Sequence, residues 1–153
     1  EIHRKVHEYK PYLEISAAVG PVPEVAKATH FQDVKAWIKE GLVDTVYPMN
    51  YTRDAKVFDE RVALWKDLAG STPVVMGVRI DDNIETDRAQ LETVLHTFRG
   101  YSLFAYSSLF DSPNTALEKQ DEATRDRRDL VRKALIPQLT DLSRPGAAAG
   151  KDD

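Results

Sequence analysis

Four times along this chain a short apolar run gives way to a polar loop and then to a segment with helical spacing. The runs cover 12–19, 43–49, 74–80 and 101–106. Strands that alternate with helices pair in parallel, through right-handed crossovers. Two architectures satisfy that pattern: an open doubly wound sheet, or part of a (β/α)8 barrel. The open sheet commonly binds a nucleotide at a Gly-rich first turn, and neither G-x-G-x-x-G nor G-x-x-x-x-G-K-[ST] occurs here. A full barrel needs about 250 residues, whereas this chain has 153. The expectation is an α/β fold, the C-terminal half of a TIM (β/α)8 barrel, with the four strands parallel and adjacent in chain order.

Between the strands, Ile2, Val6 and Tyr9 sit at helical spacing before Pro11. The chain opens at Glu1 without a Met, within that helical pattern, so the native N-terminus is expected further upstream. Gly20, Pro21 and Pro23 read as a loop. Thr29 and Gln32 have capping-box spacing and predict a helix over 30–40, with Phe31, Val34, Trp37 and Ile38 on one face. Further helices are predicted over 55–68, 84–99 and 114–139, the last interrupted near Pro137. The mixed charges of 118–133 read as a solvated helix face, with Leu130, Val131, Leu135 and Ile136 docking it. Residues 1–140 form one domain in this reading. The Gly-, Ala- and Pro-rich segment 141–153 is expected to be a disordered tail.

The net charge of −4 argues against a nucleic-acid partner, which needs a basic patch or stripe. No run reaches the length of a membrane span. There is no cysteine, so thiolate chemistry and disulfides within the chain are excluded. His3 and His7 have the i,i+4 spacing that chelates zinc on a helix, but Arg4 and Lys5 follow His3 where H-E-x-x-H needs Glu. With no further ligand nearby in sequence, they read as solvated helix residues. The expectation is therefore no metal and no cofactor.

The densest motif is Gly41-Leu42-Val43-Asp44-Thr45-Val46-Tyr47-Pro48-Met49-Asn50-Tyr51-Thr52. Gly41 is a helix C-cap candidate, and the β-branched and aromatic run after it reads as a buried strand. Alternation places Tyr47, Met49 and Tyr51 on one face, and Val46, Pro48 and Asn50 on the other. Polar and aromatic groups at the C-terminal end of a strand are where parallel sheets and barrels keep their sites.

Trp37-Ile38-Lys39-Glu40-Gly41-Leu42-Val43-Asp44 running into Tyr47-Pro48-Met49-Asn50-Tyr51-Thr52 resembles the glycosyl-hydrolase-like family 10 proteins, bacterial glycosidases with a (β/α)8 barrel. The short strand containing Gly77 and the segment Phe104-Ala105-Tyr106-Ser107 support the likeness, which covers about residues 1–110. It implies that the four strands are the fifth to eighth of the barrel. A more distant likeness is to chitinase-like family 18 barrels, whose sixth strand ends in Met-x-Tyr-Asp. Here Thr52 stands where that family has Asp, which argues against carrying over the chitinase mechanism.

The resemblance implies glycoside hydrolysis of a bacterial or environmental polysaccharide, such as the glycan of peptidoglycan, in an extracytoplasmic compartment. Hydrolysis normally uses two carboxyl groups across the bond. In such families the acid sits at the end of the fourth strand, and no counterpart precedes Tyr12. The chain then carries the substrate-binding half of a site, with the N-terminal half of the same barrel as partner. The carboxylates expected at loop ends are Asp54, Asp81, Asp82 and Asp111. Asp54 is the best placed for catalysis, or else it caps the helix that follows. Met49 and Tyr51 are candidates for an apolar wall under a sugar ring, with Asn50 bonding a hydroxyl; the alternative is core packing. Phe104 and Tyr106 line the same cleft or pack against helices. Arg79 holds a carboxylate at the barrel mouth or forms an Arg–Asp pair of structural role. Glu14 is a candidate inward polar residue of the barrel.

Overall fold

The structure, a computed structural model, describes residues 1–81, 83–110 and 122–142, with side chains described to position 136 in the last segment. In chain order the elements are α1 (Ile2–Tyr9), β1 (Ser16–Val19), α2 (Pro23–His30), α3 (Val34–Lys39), β2 (Thr45–Asn50), α4 (Ala55–Ala69), β3 (Val75–Arg79), α5 (Ile84–Thr97), β4 (Gly100–Phe104), a single 3₁₀ turn (Tyr106–Ser108) and α6 (Glu122–Leu142). The four strands form one parallel sheet in the order β1-β2-β3-β4, as the alternation predicts. Both ends of that order stay at the edges, so the strand order never reverses. Right-handed crossovers in an order that never reverses carry their helices to one face. The fold is α/β, and its architecture is compatible with half a barrel.

The covered face holds the core. Val19, Val46, Val74, Met76, Val78 and Ile80 point from the sheet into Phe58, Val62 and Trp65 of α4, Leu91 and Val94 of α5, and Val131 and Leu135 of α6. Trp65 is fully buried, and its indole N–H donates to the Pro21 carbonyl at 2.9 Å, tying α4 to the loop after β1. The opposite face carries Ala18, Tyr47, Met49, Val75, Gly77, Arg79, Ser102 and Phe104 by register, and no helix packs over that row among the described residues.

The end of α3 follows from its sequence. Gly41 takes φ +64°, its N–H donates to Ile38 O at 3.1 Å, and the Leu42 N–H donates to Trp37 O at 2.8 Å. That is a Schellman close, and a side chain at Gly41 is disfavoured by the left-handed backbone.

Several expected boundaries move. The helix predicted over 30–40 is two helices. Pro23 is the first residue of α2, a position where its missing N–H costs nothing. The capping box at Thr29 and Gln32 does not form. The Thr29 hydroxyl donates to Val25 O, while Gln32 accepts from the Gly20 N–H and donates to Ala18 O. The cap of α3 is Asp33, which accepts from the Ala36 N–H. Phe31 is the left-handed C-cap of α2 and is exposed rather than on an apolar face. Strand β1 pairs only over Ser16–Val19, and Glu14 lies exposed before it, outside any inward row. Backbone helix α6 runs through Pro137 to Leu142 without a break, so the helix extends past the expected domain end. Leu130 and Ile136 are exposed on it, and Val131 and Leu135 do the docking. Asp82, Asp111 and the tail from 143 to 153 lie outside the described residues.

Candidate functional site

Tyr51, Arg79 and Phe104 meet at the C-terminal end of the sheet. Arg79 pairs with Phe104 in register, and Tyr51 stands one residue beyond β2. The Tyr51 and Phe104 rings are stacked, with centroids 4.8 Å apart and planes at 21°. What lets Tyr51 lie across β3 to reach Phe104 is Gly77. A methyl group there would sit 2.8 Å from the Pro48 carbonyl oxygen and 3.0 Å from Tyr51 Cε1. Met49 is the register partner of Gly77 and half-buried, so it borders the same depression. Burial pushes the Tyr51 hydroxyl above its ordinary pKa of 10.0. Phe104 remains 53% exposed, so this aromatic platform faces outward.

Beside the platform lies a cleft of about 410 Å³, lined by Arg53, Arg79, Asp81, Phe104, Ser107 and, from α6, Arg127 and Arg128. Asp81 is the hub of its charged wall. Its carboxylate takes an ion pair from Arg53 at 2.6 Å and faces Arg79 Nε at 3.5 Å. It also accepts from the Asn83 N–H at 3.1 Å, while its own N–H donates to Asp87 Oδ2 at 3.1 Å. The Gln90 side chain of α5 donates to the Thr52 carbonyl at 2.9 Å. Through Asp87 and Gln90, both buried, α5 anchors the loops after β2 and β3.

Not every expected residue belongs to this group. Asn50 is fully buried on the covered face. Its amide donates to Phe58 O at 3.2 Å and accepts from Arg61 at 3.2 Å, so it fastens α4 to β2 instead of reaching toward a sugar hydroxyl. The alternation placed it opposite Tyr51, and that parity directs it into the helix layer. Asp54 is the N-cap of α4, accepting from the Val57 N–H at 2.9 Å; of its two expected roles, capping is the one the geometry displays. Tyr106 does not share a strand face with Phe104. Strand β4 ends at Phe104, and Tyr106 enters the 3₁₀ turn to pack on Phe110, with ring centroids 5.0 Å apart. Arg79 pairs with Asp81, as the Arg–Asp alternative anticipated, and lines the cleft as well.

Arg53, Arg127 and Arg128 also line the cleft, beyond the residues that the sequence pattern selects as candidates. Arg53 directly follows the Tyr51-Thr52 motif and was legible there, but the two arginines of α6 lie in a mixed-charge run that reads equally as solvated helix. Chemically, the arrangement sets an aromatic platform with the chemistry to meet an apolar ring face next to guanidinium groups of the kind that pair with carboxylate, sulfate or phosphate. Among the described residues lining the cleft, Asp81 is the one carboxylate, and its oxygens are engaged with arginines and backbone. No helix is long and apolar enough to cross a membrane among the described residues. No family model, curated protein or solved structure matches this chain.

Proposed function

We propose that this chain is the substrate-binding half of a glycoside-hydrolase barrel that acts on a polysaccharide, with the proton-donating carboxyl supplied by an N-terminal half of the same barrel. The observation that carries this reading is the Tyr51–Phe104 stack laid over Gly77 beside the arginine-lined cleft. A pyranose ring offers an apolar C–H face to such a platform. The guanidinium groups favour a glycan that bears carboxylates, as bacterial and environmental polysaccharides such as peptidoglycan glycan do. The uncovered sheet face is the surface that four further strands would enclose in a closed barrel. A two-carboxylate mechanism then draws its acid from outside this chain, and this chain contributes orientation and affinity.

A specific observation also favours a second reading, a non-catalytic carbohydrate-binding barrel: the described lining holds one carboxylate, already committed to Arg53 and Arg79. The two readings part at the strand that precedes β1 in the full barrel. A carboxylate whose replacement abolishes hydrolysis supports the enzyme, and binding without turnover supports the binder.

The test for both is titration of the chain with carboxylated and neutral glycan oligomers, in wild type and in Tyr51→Ala. Loss of the platform is expected to weaken binding by about tenfold, or about 1.4 kcal/mol, with about 1 kcal/mol of stability lost with the ring stack. Unchanged affinity in a folded Tyr51→Ala variant would remove the platform from the site.

A further inference from the structure

At the opposite end of the sheet, two histidines and an aspartate converge. His3 and His7 project from one side of α1, with ring centroids 4.2 Å apart. Both turn Nε2 toward Asp44, the residue just before β2. His3 Nε2 is 3.9 Å from Asp44 Oδ1, and His7 Nε2 is 3.6 Å from Asp44 Oδ2. One potential ligand atom from each residue falls within a set whose members are all within 4.8 Å of one another. In the sequence no third ligand lies near the histidine pair; the fold brings one in across more than thirty-five positions of chain by pairing β1 with β2.

We propose that His3, His7 and Asp44 form a zinc site that staples α1 to the base of the sheet. Zinc takes imidazole nitrogen and carboxylate oxygen at about 2.0–2.2 Å in tetrahedral geometry, which sets ligand atoms about 3.3 Å apart. The two His–Asp spacings, 3.9 and 3.6 Å, exceed that by roughly 0.3–0.6 Å, and the whole set lies within 4.8 Å, so side-chain rotations must draw the three groups together around the ion. Three further features support the assignment. His7 Nε2 is buried from solvent and has no hydrogen-bond partner among the described residues. A buried polar nitrogen is ordinarily satisfied, and a metal would use its lone pair. Asp44 is held in place before any ion arrives: its Oδ2 accepts from the Ile15 N–H at 2.6 Å, and its own N–H donates to Ile15 O at 2.7 Å. Such an outer-shell bond orients a ligating carboxylate. Finally, each of the three side chains is between 27% and 32% exposed, so the cluster lies near the surface, where an ion can reach it.

The staple has a clear consequence. Helix α1 has no buried residue of its own, so packing gives it little hold on the sheet. A metal shared by α1 and Asp44 would fasten it at one end of the molecule, far from the arginine-lined cleft. The site does not depend on the glycosidase reading.

The experiment is zinc titration of the 153-residue chain by calorimetry, with thermal unfolding in zinc and in EDTA. The expected result is one zinc per chain and a transition that rises by about 5 °C or more at zinc a hundredfold above its Kd, reversed by EDTA. His3→Gln and His7→Gln should each lower affinity at least tenfold, and the double variant should show no saturable binding. Asp44→Asn keeps an acceptor for the Ile15 N–H and tests the charge alone; it should bind more weakly while unfolding normally in EDTA. Saturable binding retained in the double variant would place zinc on His30, His96 or surface carboxylates and overturn the proposal. So would no saturable binding to wild type, or one zinc per two chains.

Discussion

Asn50 and Tyr51 are neighbours in the chain and finish on opposite sides of the sheet. Asn50 is fully buried, with both ends of its amide engaged by α4. Tyr51 lies across a glycine on the uncovered side and stacks on a phenylalanine that is half in solvent. On the covered face, every strand residue from Val74 to Ile80 that points inward meets a helix, and large side chains fill the space. On the other face the same strand offers Val75, Gly77 and Arg79: a small apolar group, an absent side chain and a charge. One face is built for close packing and the other for access. The difference follows from strand order, because a parallel sheet that grows in one direction receives its helices on one side only.

This contrast predicts unequal responses to substitution. On the covered face, Trp65→Ala removes the largest fully buried side chain together with its bond to Pro21. The expected loss is about 3–5 kcal/mol, read from the midpoint and slope of urea unfolding. A loss below about 1 kcal/mol would mean that the helix layer does not hold the sheet, and the comparison would fail. On the open face, Gly77→Ala is an overpacking test. The new methyl has no room against the Pro48 carbonyl and the Tyr51 ring, and one of those two neighbours is backbone. The expected cost is about 1–3 kcal/mol, accompanied by displacement of Tyr51 and, under the function proposed above, weaker glycan binding. A neutral Gly77→Ala variant with unchanged Tyr51 environment, read by near-ultraviolet circular dichroism, would show that the ring does not rest on β3.

How far the sequence reveals this arrangement depends on the range of the interaction. Local signals carried well. The apolar runs located all four strands, the Gly41 close ended α3 as its left-handed preference requires, and parity along β2 sorted Val46, Pro48 and Asn50 from Tyr47, Met49 and Tyr51. Local chemistry misled where two local readings compete. Pro23 belongs equally to a loop and to the first turn of a helix, and Thr29 with Gln32 satisfies a capping-box spacing while Gln32 is taken by β1. Tyr106 follows the strand's alternation on paper, but the strand stops two residues earlier. Long-range chemistry is legible only where parallel strand order implies it, as for Tyr51, Arg79 and Phe104 at the C-terminal end of the sheet. Nothing near His3 and His7 announces Asp44, and nothing near Arg79 announces Arg127 and Arg128, because these meetings are made by strand pairing and helix docking.

The smallest effect is expected outside both faces, on the solvent side of the helix layer, where Lys27 of α2 reaches Asp33 at 2.6 Å. The hydrogen bond from Lys27 is the main reason that the Asp33 carboxyl sits below its ordinary pKa of 3.8, and the same bond raises Lys27 above 10.5. A carboxyl with a depressed folded pKa contributes stability that is present above the unfolded value and is lost as pH falls through the folded one. The Lys27 contribution runs the other way: it is present below its unfolded value and lost as pH rises through the folded one. Asp33→Asn removes the charge and keeps an oxygen for the Ala36 N–H that caps α3. The thermal midpoints of wild type and variant should therefore differ slightly at about pH 7 and converge as pH falls through the depressed Asp33 value, below its ordinary 3.8. Because the pair is solvent-exposed, that small difference should also shrink as salt is added. A gap that persists undiminished in acid would assign the role of Asp33 to its cap geometry alone. A gap as large as that of Gly77→Ala would mean that the solvent side of the helix layer, and not only its packed side, holds the molecule together.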